Sequence, residues 1–211
     1  MASSSRDGTI RLWQVESGQL VASLQGHAGV VRAVALTGDG HLAASCGDDG
    51  MLRLWDTGSG QLLADLQAGG GAVLSVALSR DGRLVAGGSE DGTVRVSETD
   101  TSHVLMTLQG HIGVAFGVAL SDSPGTAGHG ARLLASGGWD GTVRLWETST
   151  GSCLRILRPE RRYERMDITG LTGVTSAQRA ALLAPGAVDR RLGVGTTPHG
   201  VPSKREVRVR D

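Results

Sequence analysis

The 211-residue chain is short of most side chains on which specialised chemistry is built: it has two cysteines, one phenylalanine, one tyrosine and four tryptophans. It has no asparagine, and Lys204 is its single lysine beside twenty arginines, which reads as the coding bias of a GC-rich genome. No apolar run approaches the ~18 residues of a membrane-spanning helix. The first residues lack the charged and apolar pattern of a secretory signal. Cys46 and Cys153 lie too far apart for zinc-type spacing, and both are expected to be reduced, small and buried. A cytoplasmic protein without membrane anchor, metal or cofactor follows as the expectation.

Opposite charges cancel over the whole chain but not locally. Residues 1–157 carry ten Arg against fifteen Asp and Glu, and residues 158–211 carry eleven basic against six acidic side chains. That asymmetry marks two regions. Glycine is abundant, with 33 residues, about twice its usual share of ~7%. The glycines recur beside Asp and Ser, which predicts many tight turns.

The turns repeat. Asp7-Gly8, Asp49-Gly50, Asp91-Gly92 and Asp140-Gly141 stand at intervals of 42, 42 and 49 residues. The extra seven fall within SDSPGTAGHGARL (121–133), where the preceding copy has SRDGRL (79–84). An insertion confined to one turn is typical of a surface loop. The first full unit predicts four strands: VVRAVAL (30–36), HLAASCG (41–47), MLRLWD (51–56) and QLLADLQ (61–67). Alternation of period two is clear in LRLWD and TVRLWE. Four short antiparallel strands per repeat of about 42 residues make a β-propeller blade. The predicted class is therefore all-β.

Gly26-His27 precedes Trp55-Asp56, and Gly110-His111 precedes Trp146-Glu147, while Trp13 closes a partial first copy. With this spacing the chain resembles the WD-repeat family over residues 2 to about 158. The resemblance implies a hydrogen-bonded set in each blade: His27, Ser45, Asp49 and Trp55 in the first full blade, and His111, Ser136, Asp140 and Trp146 in the last. The middle blade departs from it. Ala68-Gly69 replaces Gly-His, Gly87 replaces the serine and Ser97 the tryptophan, so that only Asp91 remains. A network that loses three partners together leaves little unsatisfied, and this blade is expected to be weaker but self-consistent.

Read without the family, His27, Asp49, His111 and Asp140 have the composition of a metal or acid–base set, and Ser45, His27 and Asp49 that of a hydrolase triad. A nucleophile must face a substrate cavity beside an oxyanion site, whereas these residues fall at turns and packing surfaces. No catalytic, cofactor or metal residue is assigned. Gly87-Gly88-Ser89 is not a nucleophile elbow, because Asp91 stands where the final glycine is needed. Gly193-Val194-Gly195 lacks the strand and helix of a phosphate loop. His41, His103, His129 and His199 read as solvated turn or tail residues. Arg32, Arg53, Arg95 and Arg144 alternate with apolar residues. They are either ordinary solvated strand polars or the exposed charges of a partner-binding surface.

After Arg158 the pattern stops. Thr175 and Gln178 form a capping box for a short helix, SAQRAALLA (176–184). YERMDITGLTGVTSAQRAALL is similar to the closing segment of large bacterial WD-repeat proteins, in which an NTPase or DNA-binding signalling module precedes a long propeller. Residues 186–211 are rich in Gly, Pro and Arg without periodicity and are expected to be disordered. The organisation expected is an open, partial propeller over 1–158, with a half-blade at 1–25 and blades at about 26–67, 68–109 and 110–158. A linker with the short helix follows at 159–185.

Aligned on Asp7, the chain opens inside the second strand of a blade, which suggests a carboxy-terminal piece of a longer propeller whose upstream blades are missing. Two copies would total seven blades, but both half-blades would bring outer strands and neither the inner pair. The expected function is a non-catalytic protein–protein interaction scaffold of a bacterial signalling or regulatory protein, with other proteins as partners. The alternative is a nucleic-acid-associated protein using the basic tail, with Arg155, Arg158, Arg161, Arg162, Arg165 and Tyr163 as its contacts.

Overall fold

The computed structural model describes residues 1–121, 132–159, 172 and 175–183. It divides into two units, Met1–Arg158 and Pro159–Asp211. In the second unit the described residues form one helix, α1 (Ser176–Leu183). Its start is a reciprocal cap: the Gln178 amide donates to Thr175 Oγ1 at 3.2 Å, and Gln178 Oε1 accepts from the Thr175 amide at 2.9 Å. The disorder expected over 186–211, the residues Arg161, Arg162, Tyr163 and Arg165, and most of the 121–133 insertion lie outside the described residues. Among the described residues no helix is long and apolar enough to cross a membrane.

The first unit is a series of antiparallel sheets. β1 (Ala2–Ser4), β2 (Thr9–Trp13) and β3 (Leu20–Gln25) form a three-stranded sheet. The next has four strands: β4 (Val31–Leu36), β5 (Leu42–Gly47), β6 (Met51–Asp56) and β7 (Leu62–Gln67). The third comprises β8 (Val73–Leu78), β9 (Leu84–Ser89), β10 (Val94–Glu98) and β11 (Val104–Leu108). The fourth comprises β12 (Ala115–Leu120), β13 (Leu133–Gly138), β14 (Val143–Glu147) and β15 (Cys153–Leu157). In each sheet the strands pair in chain order, as consecutive hairpins require.

The Asp-Gly turns explain why the strands reverse where they do. Gly50 and Gly141 have φ of +76° and +70°, a conformation open to glycine at little cost. The aspartate before each glycine fixes the turn from inside. Asp140 accepts from the Thr142 amide at 3.0 Å and the Thr142 hydroxyl at 2.7 Å, and Asp91 does the same with Thr93.

The apolar cores lie between sheets. Ile10, Leu12 and Leu24 of the first sheet pack with Val31, Ala43 and Trp55 of the second. Leu52, Leu54 and Leu66 pack with Val73, Val76 and Val85 of the third. Val94, Val96 and Leu108 pack with Ala115, Leu134 and Trp146 of the fourth. Ile10, Leu52, Val94 and Val143 occupy one register position in successive sheets, paired across to Leu24, Leu66, Leu108 and Leu157. The first three pairs are buried, whereas Val143 is 42% and Leu157 46% exposed.

One cysteine departs from expectation. Cys46 is buried, and burial pushes its thiol up to about 12. Cys153 instead lies exposed on β15, the outermost strand of its sheet, and neither cysteine forms a disulfide.

Candidate functional site

In the second sheet the Asp49 turn, the segment before β4 and two strands bring His27, Ser45, Asp49 and Trp55 together. The Trp55 indole N–H donates to Ser45 Oγ at 2.8 Å, and His27 Nε2 lies 2.8 Å from the same oxygen. His27 Nδ1 is 3.0 Å from Asp49 Oδ1. Asp49 also accepts from the Ala28 amide at 3.0 Å and the Met51 amide at 3.2 Å. With Nδ1 protonated, the chain runs from indole to hydroxyl to imidazole to carboxylate, and each donor finds an acceptor.

Arg53 completes this set. Its NH1 donates to Asp49 Oδ2 at 2.6 Å, and its Nε lies 3.1 Å from Asp65 across the strand pair. NH1 is also 2.6 Å from His27 Nδ1. Both nitrogens converge on the Asp49 carboxylate, the acceptor they can share, and we assign both as donors to it. Burial pushes the Asp49 carboxyl up, but hydrogen bonds from Arg53, His27 and the two amides outweigh it and hold the group well below the usual carboxylate range. Burial lowers His27, partly offset by Asp49.

The fourth sheet repeats the arrangement. Trp146 Nε1 donates to Ser136 Oγ at 2.8 Å, His111 Nε2 lies 2.8 Å from that oxygen, and His111 Nδ1 is 3.1 Å from Asp140. Asp140 is pushed up by burial and brought down further by Thr142, the Ile112 amide and His111. Arg144 fits less well than Arg53. Its NH2 is 3.8 Å from Asp140, its guanidinium sits 6.0 Å from the Trp146 ring centroid, and its buried Nε has no partner among the described residues. The residue across the strand pair is Ile156, where the second sheet has Asp65. In the first sheet Trp13 Nε1 donates to Ser3 Oγ at 2.9 Å.

The structure therefore corrects the expectation of exposure for two of the four arginines. Arg53 is buried, and Arg144 is mostly enclosed over Trp146; both are spent inside their sheets. Arg32 is exposed and binds Asp48 through two hydrogen bonds, of 2.5 and 3.0 Å. Arg95 donates to the Gln67 carbonyl at 3.0 Å.

The spacing of Asp-Gly, Gly-His and Trp closing strands, now seen to build these hydrogen-bonded sets, matches the family model described as "WD domain, G-beta repeat" over residues 1–14, 18–56, 60–96 and 102–147, more than half of the chain. The chain belongs to the WD-repeat family. It is also 46% identical over 48 residues to nuclear distribution protein PAC1-2 of Uncinocarpus reesii. That stretch is 23% of this chain and 10% of that protein.

The third sheet shows how a WD blade closes without its histidine. A Cβ on Gly47 would lie 3.1 Å from the His27 ring, and one on Gly138 would collide with His111, so the histidine sets require glycine there. In the third sheet the pair is exchanged: Gly69 takes the histidine position and Ser89 the glycine position. Ser89 Oγ donates to the Ala68 carbonyl at 2.8 Å and fills the space a Gly69 side chain would need. Asp91 keeps the Gly70 amide at 2.9 Å and its Thr93 bonds. The Ser89 substitution was visible in the sequence, as SEDG against GDDG and GWDG, but its meaning needs the histidine ring in place.

Sequence reasoning also missed an exposed apolar cluster. Trp139 is 72%, Ile112 66% and Phe116 48% exposed. The Phe116 and Trp139 rings lie 5.5 Å apart at an interplanar angle of 38°. Trp139 precedes the turn aspartate, where the other full WD blades have Asp48 and Glu90. Trp139-Asp140 looks like the family dipeptide but sits in the wrong strand register.

The His27 and Asp49 shifts set a pH dependence. His27 titrates lower when folded than its ordinary 6.5, so folding favours the neutral ring. That contribution is full above about 6.5 and is lost as pH falls toward the folded value. Asp49 is depressed below its ordinary 3.8, so its contribution is lost as pH falls below about 4. Urea denaturation across pH 4 to 8 should show stability level above pH 7 and declining below about 6.5, with a steeper loss at the acid end. Stability that rises between pH 7 and 5.5 would contradict the burial of a neutral His27.

Proposed function

We propose that this chain is a non-catalytic protein–protein interaction scaffold, formed as an open arc of WD blades and completed by further blades of a longer propeller. The observation that carries the reading is the exposed outer face of the fourth sheet within the first unit. Val143 and Leu157 hold positions buried by a following sheet in each of the three preceding ones. A face of this kind is built for a neighbouring blade, because blades bury their apolar residues only against each other. The non-catalytic part rests on Ser45 and Ser136, which are buried and already hold an indole and an imidazole. We place the protein in the cytoplasm, within a bacterial signalling or regulatory protein; the likeness of residues 163–183 to the closing segment of such proteins supports that placement.

The test is light scattering with thermal unfolding on the 211-residue chain and on a chain extended upstream by WD blades enough to close a ring. The expected result is self-association of the shorter chain and a monodisperse monomer with a sharp transition for the longer. A monodisperse, cooperatively unfolding monomer from residues 1–211 alone would show that the arc covers its own ends. Binding of the full chain to duplex DNA that weakens steeply between 50 and 200 mM salt would favour the nucleic-acid alternative instead.

A further inference from the structure

Nearly every polar group at the blade turns is consumed by the hydrogen-bonded sets. The cluster around Trp139 is not, and it places two of the chain's six aromatic residues, with Ile112 beside them, facing outward. The same register positions show what ordinarily stands there. In the second sheet the place of Phe116 is held by Arg32 and that of Trp139 by Asp48, and the two form an ion pair. In the third sheet the places are held by Leu74 and Glu90. The fourth sheet thus replaces a solvated ion pair with a tilted aromatic pair.

Exposing an indole to this degree leaves apolar area in water at roughly 25 cal/mol for each Å², and nothing inside the fourth sheet requires it. The indole N–H of Trp146, not Trp139, serves the Ser136 set. Gly113 stands beside Trp139 and brings no side chain of its own against it.

The neighbouring charge states what would bind. Gly92 lies against the carbonyls of His111 and Gly113, and a Cβ added to Gly113 would come within 3.6 Å of Trp139 Cβ, so the turn that follows Glu90 and the segment beside Trp139 are neighbours on one surface. Glu90 is exposed and forms no salt bridge among the described residues; its charge acts on Arg32 at longer range, but Arg32 is already paired directly with Asp48. An indole face on the same surface as an exposed carboxylate suits a cation beside an apolar anchor: the anchor stacks on Phe116 and Trp139, and the cation pairs with Glu90 and can lie over the ring.

We propose that Ile112, Phe116, Trp139 and Glu90 form a docking surface for a protein segment carrying an aromatic or long aliphatic anchor with a Lys or Arg within a few residues of it. The proposal rests on the interaction-scaffold reading but not on the extra blades that reading also invokes.

The experiment is selection of a random twelve-residue peptide display library on the full chain, with Trp139→Ala and Glu90→Lys as counter-selections and Leu63→Ala as a surface control on the outer strand β7. Trp139 and Glu90 are exposed, so circular dichroism should confirm that both variants fold as the parent. The expected consensus pairs an apolar anchor with a nearby basic residue. Binding of an enriched peptide should fall about tenfold or more on Trp139→Ala, fall on Glu90→Lys, and stay unchanged on Leu63→Ala. The peptide should also blue-shift the tryptophan emission of the parent and not that of Trp139→Phe. Peptides that bind Trp139→Ala as well as the parent would overturn this surface while leaving the scaffold reading standing. An acidic consensus, or no enrichment over Trp139→Ala, would overturn it as well.

Discussion

Asp49→Ala should cost about 3 kcal/mol of folding stability, and Asp91→Ala about 1 kcal/mol. The two aspartates occupy the same turn of neighbouring WD blades, so backbone conformation cannot account for the difference. Asp49 is the shared acceptor of His27, Arg53 and two backbone amides. Its loss leaves a buried guanidinium with only the half-exposed Asp65, and removing one partner of a buried ion pair typically costs about 3–5 kcal/mol. The remaining pair keeps the figure at the low end. Asp91 holds Thr93 and the Gly70 amide near the surface, with no histidine behind it, and such hydrogen bonds contribute about 1 kcal/mol net. Urea midpoints of both variants, with unchanged slopes, measure the comparison. Equal losses would mean that the buried network adds nothing beyond the turn.

The second large effect is a non-additive one. Gly69→His alone should destabilise by about 1–3 kcal/mol, because its side chain enters space filled by Ser89 and overpacking costs on that scale. Ser89→Gly alone should cost about 1 kcal/mol, from loss of the bond to the Ala68 carbonyl. Together they should be better tolerated than the sum, with a favourable coupling of about 1–3 kcal/mol, since the imidazole can then approach Asp91 as His27 approaches Asp49. A double-mutant cycle on denaturation midpoints reads the coupling directly. Strict additivity would show that the exchange of glycine between these two positions is incidental.

Much of this was legible in the repeat. The Asp-Gly turns set the phase of every strand, and with phase known, the repeat alone pairs His27, Ser45, Asp49 and Trp55 across the blade. The arginines were misplaced for a physical reason. In LRLW the alternation correctly puts Arg53 on the face opposite Leu52 and Leu54, but alternation says solvent only when one face of a sheet is open. Here both faces of an interior WD blade are covered, and the polar position is satisfied internally by Asp49 and by Asp65 on the next strand. Asp65 within LLADLQ was the available signal. The Phe116–Trp139 pair had none, because the insertion separates the residues and their contact depends on the tertiary arrangement of one turn and one inner strand. Cys153 escaped the burial rule because an outermost strand has no neighbour to cover it.

The placement of the three apolar cores between sheets has a consequence for how the molecule comes apart. No sheet owns a core, and each is held by what it shares with those beside it. Stability is then a property of junctions, and loss of structure proceeds by fraying from whichever sheet has one junction instead of two. The blade without histidine or tryptophan has a junction on each side, Leu52 and Leu54 against Val73 and Val85 on one, Val94 and Val96 against Ala115 and Trp146 on the other. Its amides should exchange with solvent more slowly than those of the fourth sheet, whose hydrogen-bonded set is complete but whose far side meets water: position in the array outranks the quality of the individual unit.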